Sequence, residues 1–157
     1  MQHLNELTAE QKRAGAALLT IRLAAGSAFL YHGSAILFGA FGGPGPQGFS
    51  EFTHLPVPIA ILVGLAQFAG GLAMLTGILA RLGAAAIIPV MLGAILMVHL
   101  PKGFDVTKGG FEYALTQLLI AGAILIAGAG PYSLYYLLRP SARIDTQSGQ
   151  PLSAGPV

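Results

Sequence analysis

Four long apolar runs constrain the fold of this chain more than any other feature. They cover approximately residues 14–38, 57–79, 82–100 and 111–138. A helix needs about 20 mostly apolar residues to cross the roughly 30 Å hydrocarbon core of a bilayer, and each run has about that length. None of them shows the alternating pattern of about ten residues that a membrane β-barrel requires. The sequence therefore predicts an all-α integral membrane protein, built as a four-helix bundle.

Composition supports a bilayer environment and argues against nucleic acid as a partner. Of the 157 residues, 54% are hydrophobic and 9% are charged, whereas about 25% are charged in ordinary soluble domains. The formal net charge is only +2, and no basic run is interleaved with aromatic residues, so we expect no nucleic-acid binding. The chain has 0 cysteines, so redox chemistry would need a bound cofactor, a substrate or a protein partner.

The first helix has a clear start and a clear end in the sequence. Thr8 and Gln11 have the spacing of a capping box, which predicts that the helix begins within residues 1–13, in water. It then enters the membrane near Ala14. The glycine- and proline-rich segment 39–48 ends it.

Lys and Arg near the ends of the runs predict the orientation in the membrane, because positively charged residues are retained on the cytoplasmic side. One side carries Lys12, Arg13, Arg81, Arg139 and Arg143, and the other carries Lys102 and Lys108 together with Glu51, Asp105 and Glu112. We therefore expect a multi-pass protein of the bacterial inner (plasma) membrane with both termini in the cytoplasm. Residues 141–157, rich in Ser, Gly, Pro and Gln, predict a disordered cytoplasmic tail.

Two further features concern the predicted outer half of the bundle. Phe49, Phe52 and Leu55 share one helical face, which predicts a short helix that lies at the membrane surface and covers the bundle. Pro89 lies near the middle of the third run and predicts a kink there.

Arg22 is the only charged residue in the interior of the first run. A charge at the centre of a bilayer costs about 2.5–3.5 kcal/mol on insertion scales, so its presence needs a reason. Two interpretations are open. Arg22 either extends to the inner interface or packs structurally between helices, or it binds an anion or a quinone oxygen inside the bundle.

Three titratable residues from three runs are expected at one outer level of the membrane: His32, His99 and Glu112. Such a group suits a proton relay, a hydrogen-bonding site for a quinone head group or a weak metal site. No closely spaced histidine pair exists, so we predict no metal site. Structural roles are also open, because a histidine at a helix end often bonds to a loop carbonyl, and Glu112 would stabilise the N-terminus of its helix. Gln67, in the middle of the second run, has the depth at which amides tie helices together.

Several short motifs, in order along the chain, resemble the DoxX family of small four-span bacterial membrane proteins. Besides an Arg early in the first run, they are His32-Gly33, Phe38-Gly39, Gln67-Phe68-Ala69-Gly70-Gly71, Gly77 to Arg81, Val98-His99-Leu100-Pro101-Lys102-Gly103-Phe104 and Gly109-Gly110-Phe111-Glu112-Tyr113-Ala114. The resemblance implies a four-helix membrane bundle and, in some members, a link to quinone-coupled oxidation of sulfur compounds and to thiol redox balance. The chain departs from the family at Ile36, where a Lys is frequent, and at Gln67, where a Glu is frequent.

These observations lead to two hypotheses of different kinds. In the first, the chain is the membrane subunit of a quinone-linked oxidoreductase or redox-homeostasis complex. His32, His99 and Glu112 would be its catalytic residues, Arg22 and Gln67 would contribute to quinone binding, and a protein partner would donate electrons. In the second, the chain is a non-catalytic accessory subunit that packs against a larger membrane complex. A small-molecule carrier is a third possibility, disfavoured because four short spans show no clear repeat.

Overall fold

A computed structural model describes residues 7–138 of the chain. Six α-helices follow one another in this part: α1 (Ala9–Phe38), α2 (Gly45–Thr53), α3 (Val57–Thr76), α4 (Ala80–Gly93), α5 (Glu112–Ala127) and α6 (Leu134–Leu138). No strand occurs between residues 7 and 138. The all-α fold is thus confirmed. The predicted tail, 141–157, lies outside the described residues.

Three helices are long and apolar enough to cross a membrane. They are α1, α3 and the segment Ala80–Lys102, which consists of α4 and its continuation. The fourth helix, α5, is also apolar but has only 16 residues. Because three helices meet the length that a bilayer requires, the chain is a multi-pass membrane protein.

The capping box predicted at the start of α1 is present. The backbone N–H of Gln11 donates to Thr8 Oγ1 over 3.2 Å, and the backbone N–H of Thr8 donates to Gln11 Oε1 over 2.9 Å. These two bonds satisfy donors that the first turn of a helix otherwise leaves unpaired. The helix therefore begins where the sequence predicts.

Glycines allow the two central helices, α1 and α3, to pack closely. A Cβ atom on Gly71 would lie 2.6 Å from the backbone nitrogen of Leu30, and one on Gly33 would overlap the backbone of Phe68. The contact between α1 and α3 is the most extensive in the bundle, followed by those of α3 with α4 and of α4 with α5. Small residues at helix crossings are the usual way to gain packing in lipid, where the hydrophobic effect contributes little.

The third apolar run remains α-helical through Pro89 and then changes to a wider, π-helical turn. After α4 ends at Gly93, residues Ala94–His99 form a π-helical turn, followed by a 3₁₀ turn over Leu100–Lys102. A π turn is often found at functional sites because it shifts the side chains that follow it. Here it precedes His99.

The sequence predicts one helix over 111–138, and this prediction is wrong: the fourth apolar run forms two helices. Helix α5 ends at Ala127, and α6 begins only at Leu134. The intervening segment contains Gly128 and Gly130, which have φ angles of 79° and 71°, and Pro131. Glycine adopts such angles readily and proline does not continue a helix, so the chain turns here and exposes backbone carbonyl groups inside the bundle.

Candidate functional site

A cavity of about 460 Å³ lies at the end of the bundle where α2 crosses. We call it the main cavity because it contains several of the candidate residues, although a second pocket, lined by Gly77 and Pro131 among others, is larger at about 710 Å³. Its walls come from positions three or four residues apart on two helices: Phe29, His32 and Ile36 of α1, and Ile59, Val63 and Gln67 of α3. This spacing places them on one face of each helix. The segment from Pro89 to His99 forms the third wall, and Tyr113 and Ala114 begin the fourth.

The short helix α2 covers this cavity, as the sequence predicts for its apolar face. Phe49, Phe52 and Thr53 of α2, with Leu55 after it, line the cavity. The turn that follows α2 contains His54, whose φ of 58° is uncommon for a residue other than glycine. The surface helix is therefore a wall of the cavity and is connected to α3 through a left-handed residue.

The lining of the main cavity is apolar and carries no Lys, Arg, Asp or Glu from the described residues. Its polar side chains are His32, Thr53, Gln67, His99 and Tyr113. A volume of this size is typical of small-molecule sites, which combine apolar walls with a few polar groups. The arrangement suits a neutral, largely apolar ligand that carries hydrogen-bonding atoms.

His99 reaches the cavity wall from the π-helical turn. Its Nδ1 lies 2.6 Å from the carbonyl oxygen of Gly109, across the loop that joins α4 to α5. A carbonyl oxygen only accepts, so Nδ1 carries the hydrogen, and Nε2 of the neutral ring is left as an acceptor. The bond from His99 to a loop carbonyl, one of the structural roles that the sequence left open, is therefore present. His99 also lines the cavity.

Gln67 is the buried polar group of the cavity. Its side chain is only 6% exposed, yet its amide forms no hydrogen bond with any residue between 7 and 138. Unlike Oε1 of Gln117, which is fully enclosed, the amide atoms of Gln67 retain some accessible surface. Its position in the cavity wall makes that amide available to a ligand.

His32 and Tyr113 face each other at the same cavity. Their ring centroids are 6.2 Å apart, and His32 also meets Tyr31 edge-on at 5.4 Å. The ring of His32 makes no hydrogen bond within the described part of the chain, so neither nitrogen is committed to a partner. The structure thus brings His32, His99 and Gln67 to one cavity. Tyr113 belongs with them, although it was not among the predicted site residues. Its only signal is its place beside Glu112 in the family-like motif.

Glu112 occupies a different place from the two histidines. Its Oε2 accepts a hydrogen bond of 3.2 Å from the backbone N–H of Val106, in the loop that also contains Gly109. It is the first residue of α5 and is absent from the lining of the main cavity. Its side chain therefore orders the loop that holds His99.

Arg22 also lies outside the main cavity. Its side chain is 1% exposed and donates hydrogen bonds to four backbone carbonyl oxygens, those of Met74, Leu75, Ala129 and Tyr132, over 2.6–3.1 Å. Met74 and Leu75 end α3, and the other two carbonyls belong to the turn after α5. Carbonyls at helix ends lack intrahelical partners and carry partial negative charge, so they offset the buried positive charge.

Gln117 is a second buried amide, one turn into α5. Its side chain is 7% exposed, interacts with that of Tyr113 one turn earlier, and has an Oε1 atom without a hydrogen-bond partner. It is not part of the cavity lining. Gln117 therefore contacts a residue of the cavity wall, Tyr113, without lining the cavity itself.

Within residues 7–138 no group of three His, Cys, Asp or Glu side chains is arranged as a metal site. The candidate site thus consists of neutral hydrogen-bonding groups on an apolar wall. Chemically, such a site can orient a ring and exchange hydrogen bonds with its oxygens.

The fold and the cavity together define a multi-pass helical membrane protein with a cavity of apolar and neutral polar side chains at one end of the bundle. More specifically, the chain belongs to the DoxX family, because the family model for DoxX matches residues 17–100, more than half of its length. The matched range contains Arg22, His32, Gln67 and His99 and ends before Glu112. DoxX is a membrane family that is often linked to oxidoreductase-associated roles. No curated protein and no solved structure matches the chain.

Proposed function

We propose that this protein is a quinone-binding membrane subunit of an oxidoreductase or redox-homeostasis complex. The observation that carries the proposal is Gln67, a 6% exposed amide without a partner in the wall of an apolar cavity that also presents two histidines. A quinone head group is neutral, planar and largely apolar, and it carries two oxygen atoms that need hydrogen bonds. These properties match the uncharged lining of the main cavity.

His32, Gln67, His99 and Tyr113 would hold the head group, and the apolar walls would contact its ring. When bound, a quinone supplies two-electron, two-proton redox chemistry. The chain's own contribution is to bind and orient the ring and to exclude water through α2. Glu112 supports His99 indirectly, through the loop from Val106 to Gly109. A protein partner would exchange electrons with the ring, since the chain has 0 cysteines to form an electron-carrying centre of its own.

Ligand binding in nanodiscs tests this proposal. Wild-type protein should bind a short-chain quinone saturably. His99→Ala should weaken binding about fivefold or more, because a partly buried hydrogen-bonding partner is lost. Ser27→Ala is the matched control. Ser27 is exposed on α1, bonds only to carbonyls of its own helix and does not line the cavity, so this variant should bind like wild type. Equal binding by His99→Ala and wild type would contradict the assignment.

A non-catalytic accessory role is the competing proposal, and one observation favours it. The two charged residues considered for chemistry have structural contacts: Arg22 bonds to four carbonyls, and Glu112 bonds to a loop N–H. An accessory subunit would co-purify in fixed ratio with a larger complex, and its deletion would reduce assembly of that complex more than turnover per assembled complex. A quinone-binding subunit would show the reverse effect.

A further inference from the structure

Two polar groups of the main cavity have hydrogen-bonding roles that the protein itself fixes. In His99, Nδ1 donates to Gly109, which leaves Nε2 of the neutral ring as an acceptor. In Thr53, the hydroxyl hydrogen donates to the carbonyl of Phe49 over 2.7 Å, which leaves only the lone pairs of Oγ1. Both residues line the cavity. A ligand that meets His99 Nε2 or Thr53 Oγ1 therefore finds an acceptor and no donor.

The other polar groups of the cavity are not committed in this way. The amide of Gln67 carries both a donor and an acceptor end, and His32 takes either neutral tautomer because neither nitrogen is bonded within the described residues. The hydroxyl oxygen of Tyr113 accepts from the amide of Gln117, whose Oε1 has no partner, so the hydroxyl keeps its hydrogen and a lone pair for a ligand. These three adapt to either kind of ligand oxygen, so selection between ligands falls to His99 and Thr53.

We infer that the main cavity retains the reduced, hydroxyl-bearing form of its ring ligand in preference to the oxidised form, with His99 Nε2 and Thr53 Oγ1 as the selecting acceptors. This inference rests on the proposed function. A quinol has two O–H donors that match the two acceptors. A quinone has two carbonyl oxygens, which are acceptors themselves. Each would place a lone pair against a lone pair and leave both groups without a hydrogen bond. Sites built for a hydroxyl reject analogues that lack it for the same reason.

The test compares a decyl-substituted 1,4-benzoquinone with its hydroquinone, under anaerobic conditions, on the full chain in nanodiscs. Equilibrium binding should be about fivefold or more tighter for the hydroquinone, as one or two net hydrogen bonds give. His99→Gln and Thr53→Val should each move this ratio toward one, since glutamine presents a donor as well as an acceptor and valine presents neither.

His32→Gln is the matched control, because His32 lines the same cavity without a fixed tautomer. It should weaken both ligands alike and preserve the wild-type ratio. Equal affinity for the two forms, or tighter binding of the quinone, would overturn the inference and leave the proposed function intact. A ratio unchanged in both His99→Gln and Thr53→Val would overturn the assignment of the acceptors. Absence of saturable binding for either form would overturn the proposed function as well.

Discussion

Arg22 donates its Nε hydrogen to the carbonyl oxygen of Met74 over 2.7 Å, although the two residues are 52 positions apart in sequence. The same guanidinium reaches Ala129, 107 positions away, over 2.6 Å. Arg22 thus connects the middle of α1 to the end of α3 and to the turn after α5. A buried charge is retained here because it satisfies carbonyl groups that no helix can satisfy.

Arg22→Ala should lower the free energy of unfolding by at least about 3 kcal/mol. The variant leaves four carbonyl oxygens without their donor, and a buried carbonyl without a donor costs about 1–3 kcal/mol. Arg81→Ala is a matched control, since Arg81 is exposed and makes one hydrogen bond, to Ile126, so it should cost about 1 kcal/mol or less. Steric-trap unfolding in bicelles measures both values. Equal costs for the two variants would contradict the structural role of Arg22.

Gly77→Ala should destabilise the protein by about 1–3 kcal/mol. Gly77 ends α3 with a φ of 75°, and an added Cβ would lie 2.7 Å from Nη2 of Arg22. Gly122→Ala provides the comparison, because a Cβ there meets nothing within 4 Å. That change should be neutral or stabilising by up to about 1 kcal/mol. Steric-trap unfolding measures both variants. If Gly77→Ala unfolded with the same free energy as wild type, Arg22 would not need the close approach of the backbone at Gly77.

Glu112 should act on the loop and not on the ligand directly. Glu112→Ala removes the acceptor of the Val106 N–H, so hydrogen exchange at Val106 should accelerate about tenfold. Glu112→Gln keeps an acceptor oxygen and should exchange nearly like wild type. If instead Glu112→Gln abolished quinone binding while leaving exchange unchanged, the carboxylate itself would be a ligand group, as the sequence analysis expected.

Acid should loosen the turn over Val106–Lys108. Hydrogen bonds from the side chain and backbone of Thr107 to Asp105 hold the pKa of this carboxyl below its usual value of 3.8. Because the pKa is lower in the folded state, the ionised carboxylate stabilises the turn fully at pH values above its ordinary pKa. This stabilisation is lost as the pH falls through the pKa of the folded state. Hydrogen exchange at Thr107, corrected for intrinsic rates, should therefore rise below about pH 4. In Asp105→Asn this pH dependence should vanish; if it persisted, another group would be responsible.

Local signals made much of the helical architecture predictable. The capping box at Thr8 and Gln11 and the apolar face of α2 depend on residues a few positions apart, and both are present in the structure. The break after Ala127 also had a signal, in Gly128, Gly130 and Pro131, yet the predicted run continued through it. Hydrophobicity alone does not register a backbone that turns at these glycines and proline and presents the carbonyls of Ala129 and Tyr132 to Arg22.

The candidate site was less predictable because its geometry depends on contacts between distant segments. His32, His99 and Gln67 were expected at functional positions, and the structure places all three at the main cavity. Sequence spacing cannot separate Glu112 from them, because its bond to Val106 and its absence from the cavity lining both depend on how the loop folds. The role of Tyr113 likewise follows from its ring facing His32, which no pattern within one helix reveals.

The central claim is that the main cavity binds a quinone head group. Photo-crosslinking with an azido-substituted quinone tests this claim most directly. Labelled peptides should map to the walls of the main cavity, especially to the π-helical segment Ala94–His99 and the surroundings of His32, and excess unlabelled quinol should remove the label. Label spread over the lipid-facing surface, unaffected by competitor, would contradict the account.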